Sequence, residues 1–219
     1  MSISEQIKND KKINSYIIEA DNCLTAIGFT EHGKAHTYVV AEHAGYLLDK
    51  LGFDVEQQEL AKVSGYIHDI GNIINRRGHS LHGATMAFHL LQDKKLTPQQ
   101  ISIIISAIGN HDESLGTPVN PVSAALIIAD KSDVRRSRVR KRDTSKFDIH
   151  DRVNYAAYDT KLTVNSNNRD IILNIKLDLD FCSVAEYFEI FVDRMLLCIK
   201  SAKYLEANFS LIINDMKMI

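Results

Sequence analysis

Apolar residues recur at helical spacing through much of the chain before residue 140, and clear start signals mark three of the predicted helices. Polar capping residues begin these helices at Asp54 (with Gln57), Thr97 (with Pro98 and Gln100) and Asn120 (with Pro121). The first helix should continue into His68 and Asp69 and end at Gly71 in a left-handed conformation. The third should lead to Asp130. Less sharply bounded helices are predicted at about 5–27, 35–51 and 79–93.

The pattern changes after about residue 147. Apolar and polar residues alternate over 162–164 and again over 171–177, with a polar turn between them, which is typical of a β-hairpin. Ser183 and Glu186 should cap a further helix, and residues 209–213 suggest a closing strand. We therefore predict a mainly α fold with two parts. They are a helical domain, residues 1–145, and a small ββαβ appendage, residues 146–219, that serves dimerisation or covers the site.

The bulk composition is that of an ordinary globular protein and favours a cytoplasmic location. The chain has 219 residues, 45% of them hydrophobic, and a formal net charge of -2, which gives no general attraction to nucleic acid or to an anionic membrane. The three cysteines are far apart, which indicates reduced thiols, and no signal peptide or membrane span is visible. A core of this size needs no structural metal, so any metal should serve chemistry.

The adjacent pair His68 and Asp69 is the centre of the candidate chemistry. Neighbouring residues in a helix point about 100° apart, but at a helix end both side chains can converge on one cation. An imidazole with a carboxylate suits Mn, Fe, Zn or Mg. His36 starts one face of an earlier predicted helix. Asp130 ends an apolar helical face, where a carboxylate without a partner would be costly.

The order of these four residues resembles that of the HD superfamily of metal-dependent phosphohydrolases. The segments HTYVVAEHAGYLL and GYIHDIGN look like the first two helices of that family, and GHSLHGA and AIGNHDE resemble its branches with a second metal. The resemblance implies six metal ligands: His36, His68, Asp69, His79, His111 and Asp130. It also implies an HD-type helical bundle over about 30–140 that binds two divalent metals. The expected metals are Fe, Mn or Zn, with Mg as a further alternative. His68 and Asp69 would stand at the catalytic centre, and Asp69 would bridge the metals.

Departures from the family narrow the expected substrate. Members that hydrolyse cyclic dinucleotides carry a Gly-Tyr-Pro loop and a Lys after HDIG, whereas this chain has DESLGTPVNP and Asn72 at those places. The resemblance is closer to compact bacterial members that cleave dinucleoside polyphosphates or small nucleotides. It implies hydrolysis of a phosphoester or phosphoanhydride by a metal-activated water. The expected partners are a small phosphorylated substrate, with a nucleotide favoured, and further copies of the chain in a homo-oligomer.

The basic run DVRRSRVRKRD, just beyond the last ligand, is a candidate for phosphate capture, although such a run is usually a solvated face. Lys131, Arg135 and Arg138 recur at helical spacing, and arginine suits bidentate contacts with phosphate. We predict that these residues contact the substrate. His82 lies three residues after His79, so it either lines the pocket or replaces His79 as a ligand.

Other polar residues near the predicted ligands are candidates for shaping the pocket. His32 is expected to be a surface histidine, although it is close enough to His36 to face the substrate. His43 is two turns, about 10 Å, beyond His36 and is expected to be structural. Three acids are candidates for orienting the ligand histidines: Asp112, Glu113 and Asp133.

Two alternatives from other classes stay open. The same ligand set can bind iron in an HD-type di-iron oxygenase, for which oxygen-dependent turnover would be the sign. An occupied but catalytically idle site would make the chain a nucleotide-binding regulatory protein, which would bind a ligand tightly without forming product. A nucleic-acid partner is disfavoured, because the overall charge is near neutral and no aromatic residues interleave the basic run.

Overall fold

A computed structural model describes residues 1–219 and is mainly α-helical, with a small C-terminal sheet, as predicted. The helices are α1 (Ile3–Lys8), α2 (Lys11–Ala26), α3 (Lys34–Lys50), α4 (Val55–Ile67), α5 (His79–Leu91), α6 (Pro98–Gly109), α7 (Pro121–Ser132), α8 (Ile149–Ala156) and α9 (Val184–Tyr204). The strands are β1 (Ala157–Asn165), β2 (Asp170–Leu177), β3 (Asn208–Ile213) and β4 (Met216–Lys217). None of the helices combines the length and the apolar character needed to cross a membrane.

Side-chain caps fix the helix starts that the sequence marks most clearly. Reciprocal capping boxes begin α6 at Thr97 and α9 at Ser183, as predicted. At α4 the carboxylate of Asp54 accepts a hydrogen bond from the backbone N–H of Gln57. The Gln57 side chain bonds back to that carboxylate rather than to the Asp54 backbone, so this cap is only half of a box. The predicted start of the helix is nevertheless confirmed.

Two helix boundaries differ from the prediction. The helix predicted over about 5–27 is two helices, because the Asp10 side chain caps a new helix start at α2. The chain also leaves α4 after Ile67 through a short 3-10 turn, Ile70–Ile73, in which Gly71 is not left-handed. Gly71 packs instead against the start of α5, where a Cβ would overlap the carbonyl oxygen of His79. A glycine is required there for close backbone approach rather than for a turn.

The C-terminal sheet has the strand order β1-β2-β3-β4. The antiparallel hairpin of β1 and β2 is confirmed, and β3 returns after α9 to pair parallel with β2. The apolar residues of β2 alternate into the core at Ile171, Leu173, Ile175 and Leu177. Helix α8 and the short strand β4, which pairs antiparallel with β3, are elements that the sequence pattern did not indicate.

One hydrophobic core joins the helices to the sheet. Helix α7 packs against α3, α4, α6 and α9, and α9 also packs against β3. The buried cluster extends from Ile7 in α1 to Ile213 in β3. Because α7 is enclosed on several sides, the packing fixes the position of Asp130 near its end. The core is continuous across residue 145, and the division into two domains stays a prediction.

A substitution at Gly65 of α4 would test whether α3 and α4 must approach each other closely. A Cβ at Gly65 would lie 2.7 Å from the Cα of Ala41 in α3. We expect Gly65→Ala to push the two helices apart and to lower the free energy of unfolding by about 1–3 kcal/mol, the usual cost of overpacking. Urea denaturation would measure the change.

Gly109→Ala is the matched control, because its Cβ would lie 3.6 Å from the Cβ of Ala84, an ordinary contact. We expect this variant to be as stable as the wild type or slightly more so, since alanine favours the helix. Equal stability of Gly65→Ala and the wild type would contradict the close-packing argument.

Candidate metal centre

The ends of several helices meet at one point and deliver the predicted ligands there. The six candidate ligands are His36 in the first turn of α3, His68 and Asp69 directly after α4, His79 at the start of α5, His111 after α6, and Asp130 in the last turn of α7. All are buried except Asp130, which is partly exposed. The contact of Gly71 with the first turn of α5 holds that helix start against the end of α4.

Each of the four histidines donates a hydrogen bond from Nδ1 to a fixed acceptor. His68, His79 and His111 each donate to the backbone carbonyl three residues earlier, at 2.8, 3.0 and 2.6 Å. His36 donates to Oδ2 of Asp133 at 2.7 Å. A carbonyl oxygen can only accept, so these contacts assign a proton to Nδ1 and turn Nε2 towards the shared centre. Nε2 is thereby the atom available to a metal.

The first group of ligand atoms is formed by two histidines and two carboxylates. Nε2 of His36 lies 3.3 Å from Oδ1 of Asp130 and 3.8 Å from Oδ2 of Asp69. Nε2 of His68 lies 3.7 and 3.4 Å from the same two oxygens. Both Nε2 atoms are buried without a hydrogen-bond partner. Buried polar atoms are rarely left so, and one divalent cation among these four side chains would satisfy them.

The second group lies on the other side of Asp69. Oδ1 of Asp69 is 3.4 Å from Nε2 of His79 and 3.9 Å from Nε2 of His111. The two Nε2 atoms are 3.2 Å apart. Burial lowers the pKa of His79, and burial and His68 lower that of His111 to about 3, so two lone pairs face each other. A cation removes that repulsion, and two nitrogens bound to one ion at about 2.1 Å lie roughly 3 Å apart.

The electrostatics of the centre attract positive charge. Burial opposes ionisation of Asp69 and Asp130, but His68 beside the first and Lys131 beside the second hold the pKa of each carboxyl well below its usual range. Burial lowers the pKa of His68, yet the same two carboxylates outweigh it and raise the pKa to about 10. The proton drawn to His68 stands where a metal would bind, so metal binding would release it.

Polar neighbours orient the ligands. Asn72 donates from Nδ2 to Oδ1 of Asp69 at 2.9 Å, which fixes that carboxylate. Among the acids predicted to orient histidines, Asp133 contacts His36, and Asp112 places Oδ2 3.7 Å from Nε2 of His79. The third, Glu113, pairs with cations instead: Lys131 at 2.6 Å and Arg194 at 3.0 Å.

The predicted substrate-binding residues lie at different places around the centre. A cavity of about 20 Å³ beside Asp69 and Asp130 is lined by Lys131 and Arg138. Arg135 does not line this cavity, because its guanidinium bonds to Asp133 and Ser137. His82 does not line it either: it is half-buried on α5, whereas His79 points to the centre. The geometry therefore favours His79 over His82 as the ligand.

Arg76 and Arg194 also line the small cavity, although the sequence pattern indicates neither. Arg76 stands three residues before His79, and that spacing was a usable signal. Arg194 lies in α9, far along the chain, and no local pattern connects it with the ligands. His32, expected at the surface although near enough to face the substrate, is partly buried and is a further lining residue.

The fold and the cluster define a helical protein with a buried centre of histidines and aspartates suited to divalent metals. The HD domain family matches residues 34–152, more than half of the chain, and the chain belongs to that family. The resemblance to the HD superfamily is thus confirmed, and it places the chain in a family of metal-dependent hydrolases. The matched range contains all six candidate ligands and extends into α8, but it excludes the sheet and α9.

The proteins similar to this chain include one uncharacterised relative and one solved structure. The uncharacterised protein MJ1020 of Methanocaldococcus jannaschii is 26% identical over 175 residues, which are 68% of this chain and 66% of that protein. The chain therefore spans slightly less than two thirds of that relative. The crystal structure of a predicted HD superfamily hydrolase from an uncultured Thermotogales bacterium has a TM-score of 0.46 at 21% identity, covering 62% of this chain and 75% of that one.

Metal content distinguishes His79 from His82 as a ligand. We expect His79→Ala to lose about half of the bound metal, because Nε2 of His79 contacts Asp69 and His111. His82→Ala is the matched control on the same helix and should keep the wild-type content. Elemental mass spectrometry of proteins purified without chelators measures both. Loss of metal in His82→Ala alone would reverse the assignment.

Asp133 should tune metal affinity through His36. Replacing the carboxylate in Asp133→Asn removes the negative charge that accepts the Nδ1 hydrogen bond, and we expect the affinity for metal to fall by about 10- to 100-fold. Competition with a chromophoric chelator measures the affinity. Asp180→Asn, at an exposed aspartate, is the control. An unchanged affinity in Asp133→Asn would show that the contact does not act on the metal.

Proposed function

We propose that the protein is a metal-dependent phosphohydrolase that cleaves a phosphoester or phosphoanhydride of a nucleotide or a related small molecule. The observation that carries the proposal is that the two oxygens of Asp69 face two different pairs of histidines. Such a carboxylate suits two adjoining divalent ions. Two such ions, when bound, would lower the pKa of a water and polarise a phosphoryl group.

Each side chain has a defined part in this proposal. His36, His68, Asp130 and Asp69 would hold one ion, and His79, His111 and Asp69 would hold the other. The Nδ1 hydrogen bonds keep the imidazoles aimed at the ions, and Asn72 keeps the Asp69 carboxylate turned towards both groups. A set rich in imidazole favours Fe, Mn or Zn over Mg, which prefers oxygen ligands.

The surroundings of the centre favour an anionic substrate with an organic part. The small cavity has no hydrophobic lining residue and has four basic ones apart from histidine: Arg76, Lys131, Arg138 and Arg194. Its volume of about 20 Å³ leaves room for ions or a water but not for an organic group. A second cavity of about 170 Å³ shares lining residues with the first and adds Ile27 and Phe29. We assign the organic part of a nucleotide to this second cavity, whose acidic lining residues Asp148 and Asp151 pair with Lys141.

A di-iron oxygenase is the second candidate, because the same histidine-rich set would hold two irons. The arginines around the centre favour a phosphorylated substrate over an uncharged one. We therefore prefer the phosphohydrolase to the oxygenase. A nucleotide-binding regulatory protein would use the same cavities without turnover. Product formation therefore separates hydrolysis from binding, and its independence of oxygen separates hydrolysis from oxygenation.

Phosphate release from a panel of nucleotides, with Mn or Fe added, tests the proposal. We expect turnover by the wild type that a chelator abolishes, that added metal restores and that exclusion of oxygen does not change. Asp69→Asn should lower kcat/KM by about 100- to 1,000-fold or more, because both groups of ligands lose a charged oxygen.

Asp49→Asn is the matched control for Asp69→Asn, because Asp49 is exposed and pairs only with Lys50. It should keep wild-type turnover. Metal-loaded wild type that releases no phosphate from any nucleotide would contradict the proposal, and oxygen-dependent turnover would favour the second candidate.

A further inference from the structure

We infer that Arg194 binds the substrate and, with Arg76 and Arg138, takes a second phosphate group, beside the one at the metal centre. The C-terminal part of the chain would then select substrates that carry at least two neighbouring phosphates. This inference rests on the proposed function and deepens it, since it concerns the same site.

The three arginines stand where the two cavities adjoin. Each of them lines both the small cavity beside the metal ligands and the larger cavity that contains Phe29. A phosphate neighbouring the one at the metal centre would lie at this junction, between the ions and the organic part.

Arg194 is fixed in place but keeps donors free. Its Nε donates to Oε1 of Glu113 at 3.0 Å, and its guanidinium stacks over the ring of Phe191 at 4.6 Å. The two terminal amino groups form no hydrogen bond within the protein. A planar guanidinium oriented in this way has lost much of its conformational freedom before binding, and its free N–H groups suit the oxygens of a phosphate.

The other two arginines are anchored differently. Arg138 is buried and uses Nε and Nη1 on the backbone carbonyls of Glu31 and Asp133, which leaves Nη2 free. Arg76 lies over the Phe29 ring at 5.5 Å; its Nη1 donates to Oδ1 of Asn72 at 3.3 Å and lies 3.4 Å from Nε2 of His79, which leaves Nε and Nη2 free. All three side chains therefore bring positive charge and free donors to the junction.

Lys131 is less suited to this role, although it lies nearby. Its ammonium is buried between the carboxylates of Asp130 at 2.8 Å and Glu113 at 2.6 Å. These two carboxylates already neutralise the charge of the ammonium. Among the arginines, Arg76 forms no ion pair with a carboxylate, Arg194 shares Glu113 with Lys131, and Arg138 has Asp133 at 3.8 Å. The arginines are therefore only partly neutralised, and a second phosphate would supply further negative charge.

Binding of two matched probes to the metal-loaded protein tests this inference. The probes are AMP and adenosine 5′-(α,β-methylene)diphosphate, which differ by one phosphate and which are titrated by calorimetry at the same free metal concentration. We expect the wild type to bind the diphosphate probe at least about tenfold more tightly than AMP. Arg194→Gln should lose about tenfold in affinity for the diphosphate probe and much less for AMP.

Two further variants control for charge and folding. Arg152→Gln removes an arginine that pairs with a glutamate outside both cavities, and it should bind both probes like the wild type. Arg194→Lys keeps the charge beside Glu113 but not the planar fork, and it should fall between Arg194→Gln and the wild type. Circular dichroism would establish that each variant is folded.

Several results would overturn the inference. Equal loss of affinity for both probes in Arg194→Gln would indicate a general electrostatic effect, and no loss would leave Arg194 as a structural partner of Glu113. Wild-type protein that does not distinguish the probes, or binds neither, would also overturn it.

The proposed function fails separately from this inference, because the titrations need no turnover. Selective binding of the diphosphate probe without hydrolysis of any nucleotide would support the role of Arg194 and reject the hydrolase. Hydrolysis of a nucleotide without selective binding of the diphosphate probe would support the hydrolase and reject the role of Arg194.

Discussion

The buried carboxylate of Asp69, placed between two pairs of imidazoles, is the interaction on which the rest of the structure depends. An ionised carboxylate without partners would be costly in so dry a place, so cationic or metal-bound partners must reach it from several directions. Helix ends meet this need, because the side chains there can converge while the helix bodies pack elsewhere. The bundle therefore joins helices at their ends around one point, and its apolar core lies outside that point.

The backbone carbonyls at the helix ends also orient the histidines of the centre. The last carbonyls of a helix have no partner within it. In α4 and α6 such carbonyls, those of Gly65 and Ile108, accept the Nδ1 hydrogen bonds of His68 and His111. One contact thus satisfies the helix terminus and also turns the opposite ring nitrogen towards the centre. A histidine one or two residues past a helix end is therefore a favourable way to present a ligand.

Much of this arrangement, namely the helix starts and the set of candidate ligands, can be predicted from the sequence because its signals are local. Capping residues such as Thr97 and Ser183 act on the N–H groups of the next few residues, and the helix starts that they predict are present. The order of ligands along the chain sufficed to indicate the family. The predicted left-handed conformation of Gly71 is wrong, because a glycine required by a neighbouring backbone looks the same in sequence as one required by a turn. No sequence pattern indicates Arg194, because its place beside the centre depends on how α9 packs against α7.

The position of α9 has a consequence for how such proteins diverge. This helix lies outside the range that matches the family, yet it forms part of the wall beside the metal centre. None of the candidate ligands lies on it. Substitutions on the exposed or cavity-facing side of α9 can alter the wall while the candidate ligands keep their places, whereas the side that packs against α7 also supports Asp130.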